Sequence, residues 1–137
     1  MRAAALAGLA AALALAGTLA AGAVPARLHR LHVPPPAAPP RALSVDEVEY
    51  ALVPSRTAVS AGVVRISAYN RGMDDHDLVV VGPDGRQVAS AGTLTPGTSA
   101  VLAPRLEAGD YRVICSLFAG TPASHELLGM RFVLHVR

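Results

Sequence analysis

Short segments of alternating apolar and polar residues, separated by turn residues, fill the chain from Ser44 to its end, and this pattern constrains the fold most. It is clearest where Val64, Ile66 and Ala68 alternate with the polar Arg65 and Ser67. A period of two places successive side chains on opposite faces of a strand. No window shows a convincing helical period, although residues 123–128 are long enough for one helical turn. The pattern therefore indicates an all-β structure.

Seven segments have the length and composition of strands, and Gly, Pro, Asp and Asn punctuate the intervals between them. The predicted strands are residues 44–53, 63–70, 76–81, 87–90, 99–102, 111–116 and 130–136. About seven short strands with turns at this spacing predict a Greek-key β-sandwich over residues 44–137. A domain of that size can bury a modest core without disulfides.

The first 43 residues have a different composition. Arg2 precedes an almost unbroken Ala, Leu and Gly run over residues 3–24, in which Ala21-Gly22-Ala23 fits a small-x-small cleavage site. Residues 1–23 are therefore predicted to be a signal peptide or a retained N-terminal membrane anchor, since such a run can also span a bilayer. Both readings predict an extracytoplasmic domain that is secreted, periplasmic or anchored facing outward. Residues 24–43 are predicted to be a Pro-rich, semi-rigid linker.

The formal net charge of +2 arises from the N-terminal segment. Residues 44–137 contain eight Arg and ten acidic residues, and the whole chain contains no Lys. A Lys-lined phosphate or RNA groove is therefore not expected, and nucleic acid is not a predicted partner.

The chain has one cysteine, Cys115, so an internal disulfide is impossible. A single Cys is often a buried core residue. Here, however, it ends a predicted strand, with His125 ten residues later and Met130 five residues after that, while His76 begins an earlier strand. Separately, these three residues are ordinary turn, loop and core residues. Their joint occurrence at strand ends favours one cause, a metal site.

Two His, one Cys and a weak axial Met form the ligand set of blue-copper electron-transfer centres. A thiolate holds Cu(I) well and imidazoles accept Cu(II), so such a site suits a metal that changes oxidation state with little ligand movement. The His, Cys and Met of one inter-strand loop would converge with the upstream His at one pole of the sandwich.

Over residues 45–136 the chain resembles the cupredoxins. The motifs that carry this resemblance are Asn70-Arg71-Gly72 leading to His76, Tyr111-Arg112-Val113-Ile114-Cys115, and His125-Glu126-Leu127-Leu128-Gly129-Met130. The resemblance implies one copper ion, cycling between Cu(I) and Cu(II), with His76, Cys115 and His125 as equatorial ligands and Met130 as the axial ligand.

Two positions depart from the family pattern. Nine residues separate Cys115 from His125, more than in small blue copper proteins, and this loop is similar in length to that of the copper nitrite reductases. Asp77 follows His76 where the family often has Asn, which helps to brace the loop and the Cys sulfur. A nearby carboxylate is expected to favour Cu(II) and lower the reduction potential.

The predicted function is one-electron transfer between redox partners outside the cytoplasm, by a monomer that is not an enzyme. No second set of three His is available for a catalytic centre in the domain. The alternative is copper binding without electron transfer, with a copper donor or acceptor as partner, in trafficking or copper resistance; Met73 would suit Cu(I) delivery. A metal-free β-sandwich serving in adhesion is the third reading.

Three acidic residues flank His76: Asp74, Asp75 and Asp77. They are interpreted as part of a solvated turn.

Overall fold

A computed structural model of the chain describes residue 37 and residues 39–137. The predicted signal peptide or anchor (residues 1–23) lies outside the described residues, as does the predicted linker up to residue 36. Within the described part, no helix has the length and apolar character needed to cross a membrane.

The described residues form strands joined by tight turns, with one short helix. The strands are β1 (Ala42–Val48), β2 (Ala51–Pro54), β3 (Ala58–Val59), β4 (Gly62–Val63), β5 (Arg65–Asn70), β6 (His76–Val81), β7 (Gln87–Leu94), β8 (Ser99–Leu102), β9 (Arg105–Leu106), β10 (Gly109–Ile114) and β11 (Arg131–Val136), and the helix is α1 (His125–Leu128). The all-β class is confirmed.

Two main sheets form a sandwich. One has the strand order β2-β1-β5-β8 and the other β3-β11-β10-β6-β7, while β4 and β9 form a separate small ladder. Strand β1 runs parallel to β5, and β3 runs parallel to β11; the other pairs are antiparallel. Neighbours that are distant in sequence, such as β1 and β5, match the connectivity expected of a β-sandwich.

The core lies between these sheets, and the sequence alternation determines which residues enter it. Val64, Ile66 and Ala68 are fully buried, as predicted from their spacing. Strand β6 is buried along its whole length. Its Leu78 and Val80 face the main core, and its other face packs in a smaller cluster with Ile114.

The expected number of about seven strands is wrong, because the described residues contain eleven. The predicted strand over residues 44–53 is a hairpin: Glu49 and Tyr50 form the turn between β1 and β2, and Tyr50 is 41% exposed whereas Leu52 is buried. No Gly or Pro marks this turn, so the alternation reads through it. The two-residue strands β3, β4 and β9 are too short for a period of two to reveal them.

One pole of the sandwich collects the residues of interest. Ile114 at the end of β10 pairs with Val79 in β6 and with Arg131 at the start of β11. Because both pairings are antiparallel, the start of β6, the end of β10 and the start of β11 lie at the same pole. His76, Cys115 and Met130 flank these strand ends.

Glu47 is an unusual core residue in β1. Its side chain is fully buried, and neither carboxyl oxygen has a hydrogen-bond partner among the described residues. Burial, together with the nearby charge of Asp77, raises the pKa of Glu47 from its ordinary 4.5 to about 7. At pH 8 the folded protein therefore holds an ionised carboxylate in an unfavourable environment.

This burial predicts a loss of stability as pH rises. Because the folded-state pKa is above the unfolded one, the stabilising effect of protonated Glu47 is complete below pH 4.5 and disappears as pH rises through about 7. The wild-type protein should lose unfolding free energy between pH 5 and pH 8. We expect this loss to be smaller by roughly 1–3 kcal/mol in Glu47→Gln, because the amide does not titrate. Chemical denaturation of the metal-free protein at both pH values measures this difference.

The matched control is Glu107→Gln, since Glu107 is exposed on a turn. It should retain the pH dependence of the wild-type protein. If Glu47→Gln also loses stability in parallel with the wild-type protein, the buried carboxyl is not the cause.

Candidate metal centre

His76, Cys115 and His125 meet at one buried point. Their potential ligand atoms all lie within 4.8 Å of one another. Nδ1 of His125 is 3.3 Å from Nδ1 of His76 and 3.3 Å from Sγ of Cys115. His76 and Cys115 are fully buried, and His125 is 4% exposed. These three residues are thus positioned to hold a metal ion.

Backbone hydrogen bonds position Cys115 directly after β10. Its N–H donates to the carbonyl oxygen of Met130 at 3.0 Å, which continues the β10–β11 ladder by one step. The N–H of Asp77 donates to Sγ at 3.4 Å, so the sulfur has a second partner beside the imidazoles. Cys115 is therefore held from both sides: its backbone N–H is bonded toward β11, and its sulfur accepts from β6.

His125 reaches the same point despite the long loop before it. Its N–H donates to the carbonyl of Leu117 at 3.2 Å, so the loop folds back on itself. His125 is the first residue of α1, and the hydroxyl of Ser124 caps that helix by accepting from Leu127 N at 3.5 Å. The nine residues between Cys115 and His125 mostly form turns, so the long loop still brings the His125 imidazole to the cluster.

Met130, the predicted axial ligand, is fully buried in the main core. Its N–H donates to the carbonyl of His125 at 2.9 Å, and its own carbonyl accepts from Cys115. The backbone of Met130 is thus hydrogen-bonded to both other loop residues of the predicted set.

Asp77 does not belong to a solvated turn, in contrast to the interpretation from sequence. Asp74 and Asp75 are exposed, but Asp77 is only 6% exposed. Its carboxylate accepts hydrogen bonds from both the backbone N–H and the hydroxyl of Ser116. Asp77 therefore ties the residue after Cys115 to β6, the bracing role expected of the Asn that the family often has.

Burial changes the acid–base properties of the cluster. Desolvation raises the pKa of the Cys115 thiol to about 11, although backbone N–H groups of Asp77 and Leu117 oppose the change. Burial, and then the neighbouring His76, lower the pKa of His125. The metal-free site at neutral pH therefore contains a thiol and a neutral His125 imidazole.

Three residues near the cluster were not found from sequence. The rings of Tyr50 and Phe118 pack against that of His125, with centroids 5.1 and 5.3 Å away. Oε1 of Glu49 is 3.4 Å from Nε2 of His76, and hydrogen bonds led by the Asp74 N–H lower the pKa of Glu49 to about 2. The β1–β2 turn, distant in sequence, brings Glu49 and Tyr50 to the site, whereas Phe118 lies in the loop between Cys115 and His125. No local signal in the sequence identifies any of the three.

The donor set restricts the metal. Two imidazole nitrogens and one sulfur form the cluster, and no carboxylate of the described residues belongs to it. Such ligands suit copper or zinc, whereas Ca²⁺ and Mg²⁺ require oxygen ligands.

The fold is similar to that of several solved structures, one of them a copper-containing enzyme. Reduced auracyanin from the photosynthetic bacterium Roseiflexus castenholzii superposes with a TM-score of 0.58 at 18% identity, covering 73% of this chain and 99% of auracyanin. A reduced amicyanin variant gives a TM-score of 0.52 at 17% identity, covering 76% and 95%. The copper-containing nitrite reductase of Thermus scotoductus gives 0.50 at 18% identity, covering 76% of this chain and 23% of the enzyme.

No protein-family model and no curated protein sequence matches the chain. The structural similarity, at identities below one in four, establishes that the domain has the cupredoxin fold.

Proposed function

We propose that the protein is an exported mononuclear copper protein that carries one electron through a type 1 site. His76, Cys115 and His125 are the proposed equatorial ligands and Met130 the proposed axial ligand. The observation that carries the proposal is the convergence of two Nδ1 atoms and one Sγ within 4.8 Å at a buried point. The leader or anchor predicted from sequence is consistent with export.

The residues present fit copper. A His₂Cys set with a weak thioether supports reversible exchange between Cu(II) and Cu(I). The Cys115 thiol must lose its proton when the metal binds, because the thiolate is the ligand. Both His present Nδ1 toward the cluster, and an Nδ1 that carries no proton can donate its lone pair to the metal.

The surroundings favour electron transfer because they restrain the ligands. Cys115, His125 and Met130 are connected by backbone hydrogen bonds, and Asp77 fixes the following loop. Ligands held in this way move little when the charge of the site changes. Small ligand movement lowers the reorganisation energy of each electron transfer.

The surface above His125 is the proposed approach route for a redox partner protein. A cavity of about 700 Å³ opens beside the imidazole, lined in part by Tyr50, Met73 and Phe118. Met73 is 89% exposed and Phe118 61% exposed, while Leu128 adds further apolar surface. Exposed apolar side chains grouped around one cavity are typical of an interaction site.

Copper trafficking is the second candidate, and Met73 favours it. Its thioether is exposed and lines the same cavity as His125. Thioethers bind Cu(I) well, so Met73 could receive or release the ion at the entrance of the site.

The decisive test is the spectrum of the purified protein loaded with one equivalent of Cu(II). We expect an intense thiolate-to-copper charge-transfer band in the visible range and a type 1 EPR signal. Cys115→Ser should abolish the band, because no other thiol is present. Met73→Leu is the control, since an exposed side chain outside the ligand cluster should leave the spectrum unchanged.

The outcome separates the candidate functions. A band that disappears on reduction and returns on oxidation, without loss of metal, supports electron transfer. A colourless protein that binds Cu(I), with affinity reduced by Met73→Leu, supports trafficking. Absence of copper binding would contradict both candidates.

Asp77 should set the reduction potential below that of an otherwise equal site with Asn. Its negative charge stabilises Cu(II) over Cu(I), so Asp77→Asn is expected to raise the potential by on the order of 100 mV, the size of a Coulomb energy of about 2 kcal/mol at intermediate dielectric. Asn can still accept from Ser116 N, so the loop should remain braced. Cyclic voltammetry of the copper-loaded protein measures the shift.

Asp84→Asn provides the control for a change of net charge. Asp84 lies on the exposed turn after β6, at the opposite end of that strand from His76. Its replacement should change the potential by little, because an exposed distant charge is screened. Equal potentials for Asp77→Asn and the wild-type protein would show that the Asp77 charge does not act on the metal.

A further inference from the structure

Glu49 lies beside His76 because of the parallel pairing of β1 with β5. Glu47 in β1 is in register with Asn70 at the end of β5, so both strands terminate at the same end of the sheet. The β1–β2 turn, which contains Glu49, therefore lies next to the loop that leads from Asn70 to His76. A single carboxylate can contact both this loop and the imidazole.

The Glu49 carboxylate makes three contacts at that end of the sheet. Oε1 of Glu49 accepts from the N–H groups of Met73 and Asp74, at 2.5 and 2.8 Å. The same oxygen is 3.4 Å from Nε2 of His76, slightly longer than an ordinary N–H···O hydrogen bond. Glu49 therefore links the β1–β2 turn, the 71–75 loop and His76.

Nε2 of His76 has no other partner among the described residues. It is fully buried and makes no hydrogen bond of normal geometry there, so Glu49 is the polar group within reach. The other ring nitrogen, Nδ1, is 3.3 Å from Nδ1 of His125. A proton on Nε2 directed at the carboxylate would leave the Nδ1 lone pair directed into the cluster.

Gly72 provides independent support, because the close approach of Glu49 requires the absence of a side chain there. A Cβ at Gly72 would lie 2.3 Å from Oε1 of Glu49 and 2.9 Å from Nε2 of His76. The Gly72 N–H donates to Oδ1 of Asn70 at 2.9 Å, which holds the loop over this contact. The glycine is thus needed for space.

We propose that Glu49 is a positioning residue of the metal site: its carboxylate holds His76 in the Nε2–H tautomer, with Nδ1 available to the metal, and its charge favours Cu(II). The proposal builds on the copper site proposed above. Carboxylate partners of metal-binding His act in this way, and their removal typically weakens metal binding 10–100-fold.

The first experiment needs no metal. Long-range ¹H–¹⁵N NMR of the full chain at neutral pH should show His76 as one tautomer, protonated on Nε2. Glu49→Ala should convert this signal to a mixture of tautomers. Glu49→Gln should preserve the tautomer, because the amide oxygen can still accept from Nε2–H. Glu107→Ala, at an exposed turn at the opposite end of β10 from Cys115, is the matched control.

The second experiment separates charge from contact in the copper-loaded protein. Glu49→Gln removes only the charge and should change the ratio of Cu(II) to Cu(I) affinity about tenfold, which raises the potential by about 59 mV. Glu49→Ala should in addition lower copper affinity at least tenfold. Gly72→Ala, whose added Cβ would displace the Glu49 carboxylate and also press on Nε2 of His76, should likewise remove the single tautomer while keeping the charge; a circular dichroism spectrum verifies that it folds.

An unchanged His76 tautomer in Glu49→Ala would overturn the positioning role, and unchanged potentials in both Glu49 variants would overturn the role of its charge. A wild-type protein without a thiolate-to-copper band would contradict the proposed copper site. The metal-free NMR result would still decide whether Glu49 orients His76, so the two failures are distinguishable.

Discussion

The pairing of β10 with β6 on one side and with β11 on the other determines where the residues of the proposed metal site lie. Both pairings are antiparallel, and Ile114 is the last residue of β10 in each ladder. The next residue, Cys115, therefore emerges between the start of β6 and the start of β11. A one-residue change of register would turn Cys115 away from the core, because such a shift inverts the faces of a strand.

Loops at this pole are held by carboxylates and not by backbone pairing alone. Asp77 accepts from Ser116, which follows Cys115, and Glu49 accepts from the two residues Met73 and Asp74. Each carboxylate thus accepts from backbone N–H groups that the strand ladders leave unpaired. The same arrangement brings negative charge to the cluster, so loop stability and the electrostatics of the site are coupled.

Sequence alone predicted the features that depend on local pattern. The alternation of Val64, Ile66 and Ala68 predicted their burial, and the spacing of His76, Cys115 and His125 predicted a cluster that the structure brings together. Features that depend on the meeting of distant turns could not be predicted. The β1–β2 hairpin has no Gly or Pro to reveal it, and the contact of Glu49 with His76 follows from strand pairing. Gly72 is visible in the Asn-x-Gly motif, but only the structure shows why a glycine is needed there: a side chain would clash with the Glu49 carboxylate.

The long loop between Cys115 and His125 shows how extra length can leave a site intact. Its residues form successive turns, with Phe118 at a φ of 57°, a left-handed conformation that costs about 1–2 kcal/mol for a residue with a side chain. In this conformation the exposed Phe118 ring lies 5.3 Å from that of His125, where the aromatic contact offsets part of the cost. Ser124 then caps α1 and returns His125 to the cluster. The additional residues therefore build the surface above the imidazole, while the imidazole itself stays beside the strand ends. Under the proposed function, this loop can change partner contacts without changing the geometry of the metal site.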